Sequence, residues 1–272
     1  MIPAENNLPR KDDFIAVHDL GKSFGAVHAL RGISFSVPRG ETMAIIGPSA
    51  AGKSVLMKCL VGLYAPDTGR ICLDGEDVST TGNETRKKWA EKTGMLFQHN
   101  ALFDSLQVWE NICFSLIESR KLSRKVARDH AVDLLGLVGL DPDSAGLRPS
   151  DLSGGMQKRV GIARAIATDP EILLLDNPTA GLDPVLSNHI ENMIAAIAQK
   201  RGTTVITITN DMKIARHRYQ NLAMLHDGTL QWTGPTTEIE NAGNAYLTQM
   251  LSGSSQGPIT MRTGKRQDQL FA

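Results

Sequence analysis

The chain has 272 residues, of which 41% are hydrophobic, so it is long enough to bury one sizeable core. Its 29 Lys and Arg balance 29 Asp and Glu, which gives no global charge favouring nucleic acid or an anionic membrane surface. No apolar run approaches the roughly 18 residues that span a bilayer, and the polar first residues lack the apolar region of a signal peptide. Three cysteines without metal-type spacing predict a reduced, cytoplasmic protein: Cys59, Cys72 and Cys113.

The chain alternates short apolar runs with helical patterns, which predicts an α/β fold. Strand patterns begin at Phe14–Val17 and Val27–Val37, and the texture turns helical from about 99 to 165, as expected for an inserted helical subdomain. We therefore predict a flexible arm over 1–12, one domain over 13–252 and a flexible tail over 253–272.

The stretch from Gly47 to Ser54 fits G-x-x-x-x-G-K-[ST], a loop whose backbone N–H groups surround the phosphates of a nucleotide. It lies between a strand pattern at Thr42–Ile46 and a helical one at Val55–Val61, which places phosphate at a helix N-terminus. A turn that binds nothing is the alternative, and this context disfavours it. The predicted nucleotide-binding residues are Gly47, Pro48, Ser49, Ala50, Ala51, Gly52, Lys53 and Ser54.

A second candidate phosphate site follows the helical region, in the stretch Leu152–Gln157. Ser153 is placed to cap a helix, and Gly154 and Gly155 let the backbone approach a phosphate closely. Two phosphate cradles so far apart in one chain are explained if the second serves a nucleotide held by another copy. A plain Ser-capped helix after a Gly-Gly turn is the alternative interpretation.

Polar side chains follow three predicted strands. Asp176 ends the apolar strand Glu171–Asp176 and is positioned to hold the Mg²⁺ of a nucleotide, because ligands gather at the carboxyl ends of strands in doubly wound sheets. Gln98 follows another strand, where its amide oxygen could ligate Mg²⁺ or position water. Asn210 and Asp211 follow a third, where Asp211 is equally suited to a helix N-cap. Phe24 could stack on an adenine or belong to the core.

In this order the motifs resemble the ATP-binding subunits of ABC transporters, over about residues 14–250. The resemblance implies the P-loop NTPase fold of an ABC ATPase, with a mostly parallel core sheet, an N-terminal antiparallel β subdomain and an inserted helical subdomain. It implies the cofactors ATP and Mg²⁺, a homodimer or a pair with a second ATPase subunit, an integral-membrane permease as partner, and no nucleic acid. Implied nucleotide contacts beyond the first loop are Phe24, Ser153, Gly154, Gly155, Gln157 and Asp183, and implied metal ligands are Ser54, Gln98 and Asp176.

A narrower resemblance is to the ATPases of MCE-type lipid transporters, the Mla phospholipid system in particular. It rests on residues 94–98, 101–105 and 108–111, and on Gly257-Pro-Ile259 after a short helix near 245–251. This resemblance implies phospholipid transport and a place at the cytoplasmic face of the bacterial inner membrane. Further implied partners are an MCE-domain substrate-binding protein and a small cytoplasmic regulatory subunit.

Two residues depart from the family pattern. Asn177 stands where the family has a catalytic glutamate, and Asn210 stands where it has a histidine that contacts the γ-phosphate. A carboxamide cannot take a proton at neutral pH, so we expect slow hydrolysis with ATP binding intact. The alternative is a degenerate regulatory or structural subunit of the same kind of complex. Soluble ABC proteins of DNA repair or translation are disfavoured because the chain lacks long coiled coils and a second cassette. A milder departure is Ala50, where glycine is common.

Overall fold

The structure is a computed structural model, and it describes residues 13–79, 83–120 and 122–260. The predicted arm at 1–12 and residues 261–272 of the predicted tail lie outside the described residues. Within the described ranges, no helix combines the length and the apolar character needed to cross a membrane.

Ten strands and eight α-helices follow one another in the described chain. The strands are β1 (Ile15–Phe24), β2 (Val27–Val37), β3 (Thr42–Ile46), β4 (Thr68–Leu73), β5 (Glu76–Asp77), β6 (Thr93–Leu96), β7 (Ile172–Asp176), β8 (Thr204–Ile208), β9 (Asn221–His226) and β10 (Thr229–Pro235). The helices are α1 (Lys53–Leu60), α2 (Asn83–Lys92), α3 (Val108–Arg120), α4 (Arg124–Leu137), α5 (Gly154–Ile166), α6 (Pro184–Arg201), α7 (Met212–Arg218) and α8 (Ala245–Ser252).

The strands form two sheets. An antiparallel sheet has the order β2-β1-β4-β5, and a six-stranded sheet has the order β10-β9-β3-β8-β7-β6. The larger sheet is parallel except where β10 pairs with β9. Helices α3 and α4 are inserted between β6 and α5. The predicted α/β architecture is therefore confirmed, including the antiparallel sheet, the mostly parallel core and the inserted helices.

The larger sheet is buried on both faces, as its continuous apolar strands predict. Along β7, Leu173 and Leu175 pack with the inserted helices, whereas Ile172 and Leu174 pack with the antiparallel sheet and α1. This alternation follows from the two-residue period of a strand. At β7 the sheet thus lies between two apolar clusters.

Helix α2 is an element that the polar sequence near 79–92 does not indicate. Its visible anchor is Trp89, which is 5% exposed and packs into the cluster shared by α1 and the antiparallel sheet. The buried indole holds this short, mostly charged helix against the domain, because an aromatic side chain buries a large area.

The start of the predicted flexible tail is held against the domain. The side chain of Gln249 donates to the carbonyl oxygens of Ser254 and Ile259 and accepts from the backbone N–H of Ile259. Ile259 also packs on the cluster around α7 and α8. Residues 253–260 thus differ from the expected flexible segment because a glutamine of α8 satisfies their backbone groups, a contact that composition does not reveal.

Candidate nucleotide-binding site

The sheet register brings the predicted site loops to one edge. Ile45 of β3 and Asp176 of β7 both lie opposite Ile208 of β8, and Leu96 of β6 lies opposite Leu175. These strands are parallel, so the residues that follow them emerge side by side. The phosphate loop, the segments after Leu96 and Asp176, and the segment after Ile208 therefore meet at the carboxyl ends of the strands, where α/β sheets bind ligands.

The phosphate loop needs glycine at two of its positions. Gly47 has φ 148° and Gly52 has φ 101°, values that residues with a Cβ rarely adopt. A Cβ at Gly47 would lie 2.1 Å from the carbonyl oxygen of Leu225, and one at Gly52 would lie 2.6 Å from that of Ala29. The loop is thus pressed against β9 and β2, which fixes the direction of its backbone.

Ala50 adopts φ 60° within the same loop, in the left-handed region. This conformation costs a residue with a Cβ about 1–2 kcal/mol. The surrounding loop keeps Ala50 in this strained conformation, and its side chain is exposed. The departure from glycine at this position therefore leaves the loop geometry formed but strained.

Lys53 is held by its own loop. Its Nζ donates to the carbonyl oxygen of Gly47 at 2.7 Å and to that of Pro48 at 2.9 Å, and the residue is 8% exposed. Burial lowers the pKa of Lys53, and the negative charge of Asp176 opposes this shift. The ammonium group is thus preorganised at the loop, beside the first turn of α1, where Ser54 follows.

Asp176 and Asn177 form a buried polar pair at the end of β7. Asp176 is 6% exposed and Asn177 is 9% exposed, and Nδ2 of Asn177 donates to Oδ1 of Asp176 at 2.9 Å. Asn177 has φ 51°, a left-handed conformation that asparagine tolerates better than most residues. The backbone N–H of Asn177 donates to the carbonyl oxygen of Ile208, which fixes the turn against β8.

Lys158 of α5 also reaches this edge, a residue that the motif analysis missed. Its Nζ donates to the carbonyl oxygens of Gln98 and Asn177, each at 3.2 Å, and the residue is 5% exposed. A signal was available in the sequence: Lys158 occupies the apolar face of α5 with Gly161 and Ile162 at spacings of three and four. A lysine on such a face is expected to have a specific polar partner.

The buried charges of the site suit an anion. The buried residues Lys53, Lys158 and Asp176 together carry two ammonium groups and one carboxylate, and both ammonium groups interact with the charge of Asp176. Burial also lowers the pKa of Lys158, again opposed by Asp176. A polyanion such as a nucleotide phosphate would offset the excess positive charge. Hydroxyl, carboxamide and carboxylate oxygens are hard ligands that Mg²⁺ prefers, so the donor types of Ser54, Gln98 and Asp176 fit that ion.

Phe24 lies at the exposed end of β1 rather than in the core. It ends β1 and is 44% exposed, and its ring meets Tyr64 edge-on with centroids 5.2 Å apart. Its partner on β2 is Val27. Two residues further along β2, the carbonyl oxygen of Ala29 lies against Gly52 of the phosphate loop. The ring therefore has an accessible surface near the loop, as stacking on a base would require.

The Ser-Gly-Gly stretch begins α5. Ser153 caps the helix by accepting from the N–H of Met156, as the sequence predicts. Space is open around the Cβ position of Gly154, whereas that of Gly155 lies 3.4 Å from a methyl carbon of Leu182. The side chain of Gln157 donates to the carbonyl oxygen of Pro149, an intramolecular contact, and its predicted nucleotide contact stays a prediction.

Two further predicted residues follow β7 and β8. Asp183 caps α6 by accepting from the N–H groups of two residues in its first turn, so its carboxylate has a structural role in this chain. Asn210 is exposed after β8, and Asp211 caps α7, which agrees with the N-cap interpretation. The nucleotide contacts predicted for Asp183 and Asn210 stay predictions.

Comparison with known sequences identifies relatives over most of the chain. The family described as ABC transporter matches residues 30–180. The probable ribonucleotide transport ATP-binding protein mkl of Mycobacterium tuberculosis (strain ATCC 25618 / H37Rv) is 36% identical over 251 residues, covering 92% of this chain and 70% of that protein. Protein TRIGALACTOSYLDIACYLGLYCEROL 3, chloroplastic, of Arabidopsis thaliana is 36% identical over 264 residues, covering 91% and 76%. A methionine import ATP-binding protein MetN of Mesorhizobium japonicum is 36% identical over 253 residues, covering 93% and 68%.

Solved structures share the fold. A dimeric ATP-binding cassette in a post-hydrolysis state bound to ADP and Pi superposes with a TM-score of 0.77 at 28% identity, covering 82% of this chain and 98% of that one. CbiO1 from Clostridium perfringens, part of the ABC transporter complex cbiONQ, gives 0.74 at 29% identity, covering 85% and 91%. The predicted ABC ATPase fold is thereby confirmed. Together with the convergence of the phosphate loop and Asp176, these matches show that the chain belongs to the ABC transporter family, as one of its ATP-binding subunits.

Proposed function

We propose that this subunit binds Mg·ATP at the sheet edge and uses ATP-driven dimer closure to power lipid transport, with hydrolysis slowed by Asn177 and Asn210. The observation that carries this proposal is the grouping of Lys53, Asp176 and the phosphate loop at the ends of β3 and β7, which flank β8. Ser54, Gln98 and Asp176 would hold the Mg²⁺. That ion, when bound, supplies electrostatic stabilisation of the phosphate oxygens.

A dimer is supported by the second glycine stretch. Space around Gly154 is open and Ser153 presents a capped helix N-terminus, a combination suited to a phosphate supplied from outside the chain. One similar solved cassette is dimeric with ADP and Pi. In the proposed dimer, Ser153 and Gly155 of each copy close over the nucleotide bound by the other.

Slow hydrolysis follows from the chemistry of residue 177. The carboxamide of Asn177 donates to Asp176 and cannot accept a proton at neutral pH, so it can orient water without acting as a base. Loss of general-base assistance costs typically 10²–10⁴-fold in rate. The same observation favours a second candidate function, a regulatory ATP-binding subunit that pairs with a competent ATPase.

The cargo we propose is a phospholipid, handled with an integral-membrane permease at the cytoplasmic face of the bacterial inner membrane. The support is the MCE-type pattern of residues 94–111 together with a relative whose name contains trigalactosyldiacylglycerol, a lipid. Other relatives are named for ribonucleotide transport or methionine import. The proposed partners therefore include an MCE-domain substrate-binding protein and a small cytoplasmic regulatory subunit.

Reconstitution of the subunit with its integral-membrane permease in liposomes tests the cargo. Phospholipid, and not methionine or ribonucleotide, should stimulate phosphate release.

The ATP proposal is tested by measuring binding and turnover on the purified full chain. We expect Mg²⁺-dependent ATP binding and slow steady-state phosphate release, both lost in Lys53→Ala. The exposed Lys125 of α4 provides the matched control Lys125→Ala, which should behave like the parent protein. Vigorous phosphate release that Lys53→Ala abolishes would sink the weak-hydrolysis proposal, and absence of ATP binding would sink the site itself.

A mixing experiment separates the two candidate functions. A slow ATPase reconstituted with its permease should support transport as a homodimer. A regulatory subunit should be inactive alone and should become active only when a second, competent ATPase subunit is added.

A further inference from the structure

Lys158 contacts two of the site loops, although the sequence motifs assign it no role of its own. Its ammonium group donates to the carbonyl oxygen of Gln98, after β6, and to that of Asn177, after β7. The residue is 5% exposed, its bond to Asn177 is buried, and its bond to Gln98 is partly buried. Removing this donor leaves the buried carbonyl oxygen of Asn177 unpaired, at about 1–3 kcal/mol.

Lys158 belongs to the helix that begins at the second glycine stretch. It lies one turn beyond Ser153 and Gly154, on the continuous helix α5. The buried face of α5 packs tightly on the sheet: a Cβ at Gly161 would lie 2.7 Å from a methyl carbon of Leu96. Lys158 and the start of α5 thus belong to one hydrogen-bonded turn of helix, so their positions are linked.

A second contact joins the same two regions. The Cβ position of Gly155 lies 3.2 Å from a methyl carbon of Leu186 and 3.4 Å from one of Leu182. The segment from Asn177 to Leu186 thus touches α5 twice, through its first carbonyl group at Lys158 and through its leucines at Gly155. The start of α5 and the residue at the hydrolytic position are mechanically joined.

We propose that Lys158 is a positioning residue that couples the two nucleotide sites of the dimer. This inference rests on the proposed function, in which the start of α5 closes over the nucleotide of the partner copy. Contact with that nucleotide moves α5, and Lys158 passes the displacement to Gln98 and Asn177 in its own chain. Binding of ATP at one site thereby favours the closed arrangement of the other.

The test compares ATP binding by the full-length parent with binding by Lys158→Met, in which a side chain of similar length carries no donor. Isotherms with Mg²⁺ and a non-hydrolysable ATP analogue are recorded at two protein concentrations. Light scattering defines a low concentration at which the protein is monomeric and a higher one at which the analogue drives dimerisation. Lys125→Met is the matched control, since Lys125 is exposed on α4.

We expect Lys158→Met to lower the monomer affinity by less than about tenfold, through the loss of one buried cation, while the favourable coupling between the two sites, about fivefold or more, is lost. The Hill coefficient of the dimer should then fall to 1, with parent-like values in Lys125→Met. If Lys158 had only a structural role, Lys158→Met would lower the thermal midpoint and would weaken ATP binding in monomer and dimer alike. If Lys158→Met does not fold, Lys158→Gln, which keeps two N–H donors on a shorter side chain, is measured in the same way.

Three outcomes would overturn the coupling role. A folded, dimeric Lys158 variant with the parent Hill coefficient excludes coupling and leaves the proposed function standing. A loss of monomer affinity beyond about tenfold assigns Lys158 to its own site alone. A parent protein that binds the analogue but does not dimerise contradicts the proposed dimer, and the coupling role with it.

Discussion

The carboxamide nitrogen of Asn177 lies 2.9 Å from Oδ1 of Asp176, so the residue at the hydrolytic position is a donor to its neighbour. Glutamate in its place would be an acceptor and would set two carboxylates side by side in a buried site. It would also have to adopt φ 51°, which suits asparagine better. Asn177 therefore places a hydrogen-bond donor beside the carboxylate of Asp176, which glutamate would not provide.

Replacing Asn177 with glutamate should raise ATP turnover. We expect Asn177→Glu to increase kcat for phosphate release by up to about 10²–10⁴-fold, because a carboxylate can accept the proton of water. Asn177→Gln introduces a side chain as long as glutamate but without a base, so it should give no gain in kcat. Steady-state phosphate release with Mg²⁺ and ATP measures both. If Asn177→Glu, alone or with Asn210→His, leaves the rate unchanged, the two asparagines are not the limiting defect.

Replacing Ala50 with glycine should relieve strain in the phosphate loop. Ala50 has a left-handed φ of 60°, which glycine adopts without strain, and its side chain is exposed. We therefore expect Ala50→Gly to stabilise the folded state by about 1 kcal/mol. Urea denaturation measures this change. Ala196→Gly is the control, since Ala196 is exposed within α6 and the same change there should destabilise by about 0.5–1 kcal/mol. A loss of stability in Ala50→Gly would contradict the strain.

The two roles assigned to Asp183 can be separated. Asp183→Ala removes the N-cap of α6 and should cost about 0.5–2 kcal/mol of stability. Asp183→Asn keeps an oxygen that accepts from the helix N–H groups, so it should unfold like the parent in denaturant. Its ATP-driven dimerisation, measured by light scattering, reports the predicted nucleotide contact. Parent-like dimerisation of Asp183→Asn would show that the carboxylate charge is not needed there.

Glu191 should make stability depend on pH. It is 2% exposed on α6, accepts a hydrogen bond from the hydroxyl of Tyr219 at 3.0 Å, and burial raises its pKa from 4.5 to about 7. As pH rises, the carboxyl loses its proton at a lower pH in the unfolded chain than in the folded protein. The folded state is therefore favoured most below pH 4.5, and the free energy of unfolding falls by up to about 3 kcal/mol as pH rises through 7.

The variant Glu191→Gln removes this titration. It should be more stable than the parent at pH 8 and should show a flatter profile between pH 5 and 8, measured by urea denaturation across that range. Its amide oxygen can still accept from Tyr219. Glu118→Gln, at an exposed position of α3, should follow the parent profile. Identical profiles for parent and Glu191→Gln would show that the buried carboxyl does not titrate in this range.

Features set by local chemistry could be predicted from the sequence. The phosphate loop was recognisable because its glycines serve backbone angles and its lysine lies at a fixed spacing. The cap at Ser153 was predictable because an N-cap bonds only a few residues along the chain. Helix α2 was missed because its anchor, Trp89, stabilises it through distant partners.

Other features depended on the order of the strands. Asp176 and Gly47 are far apart in sequence, and they meet because β3, β8 and β7 are adjacent and parallel. The contacts of Lys158, the pair of Glu191 with Tyr219, and the clasp of Gln249 on the tail join segments that no local pattern links.

The sequence by itself determined the phosphate loop, the strand that ends in Asp176 and the unusual asparagines, because each is a choice of side chain at a local position. The tertiary structure decided that Asn177 donates to Asp176 and that a buried lysine of α5 holds its carbonyl group. The physical reason is that hydrogen bonds between distant segments exist only once sheet register and helix packing have fixed the positions of both partners.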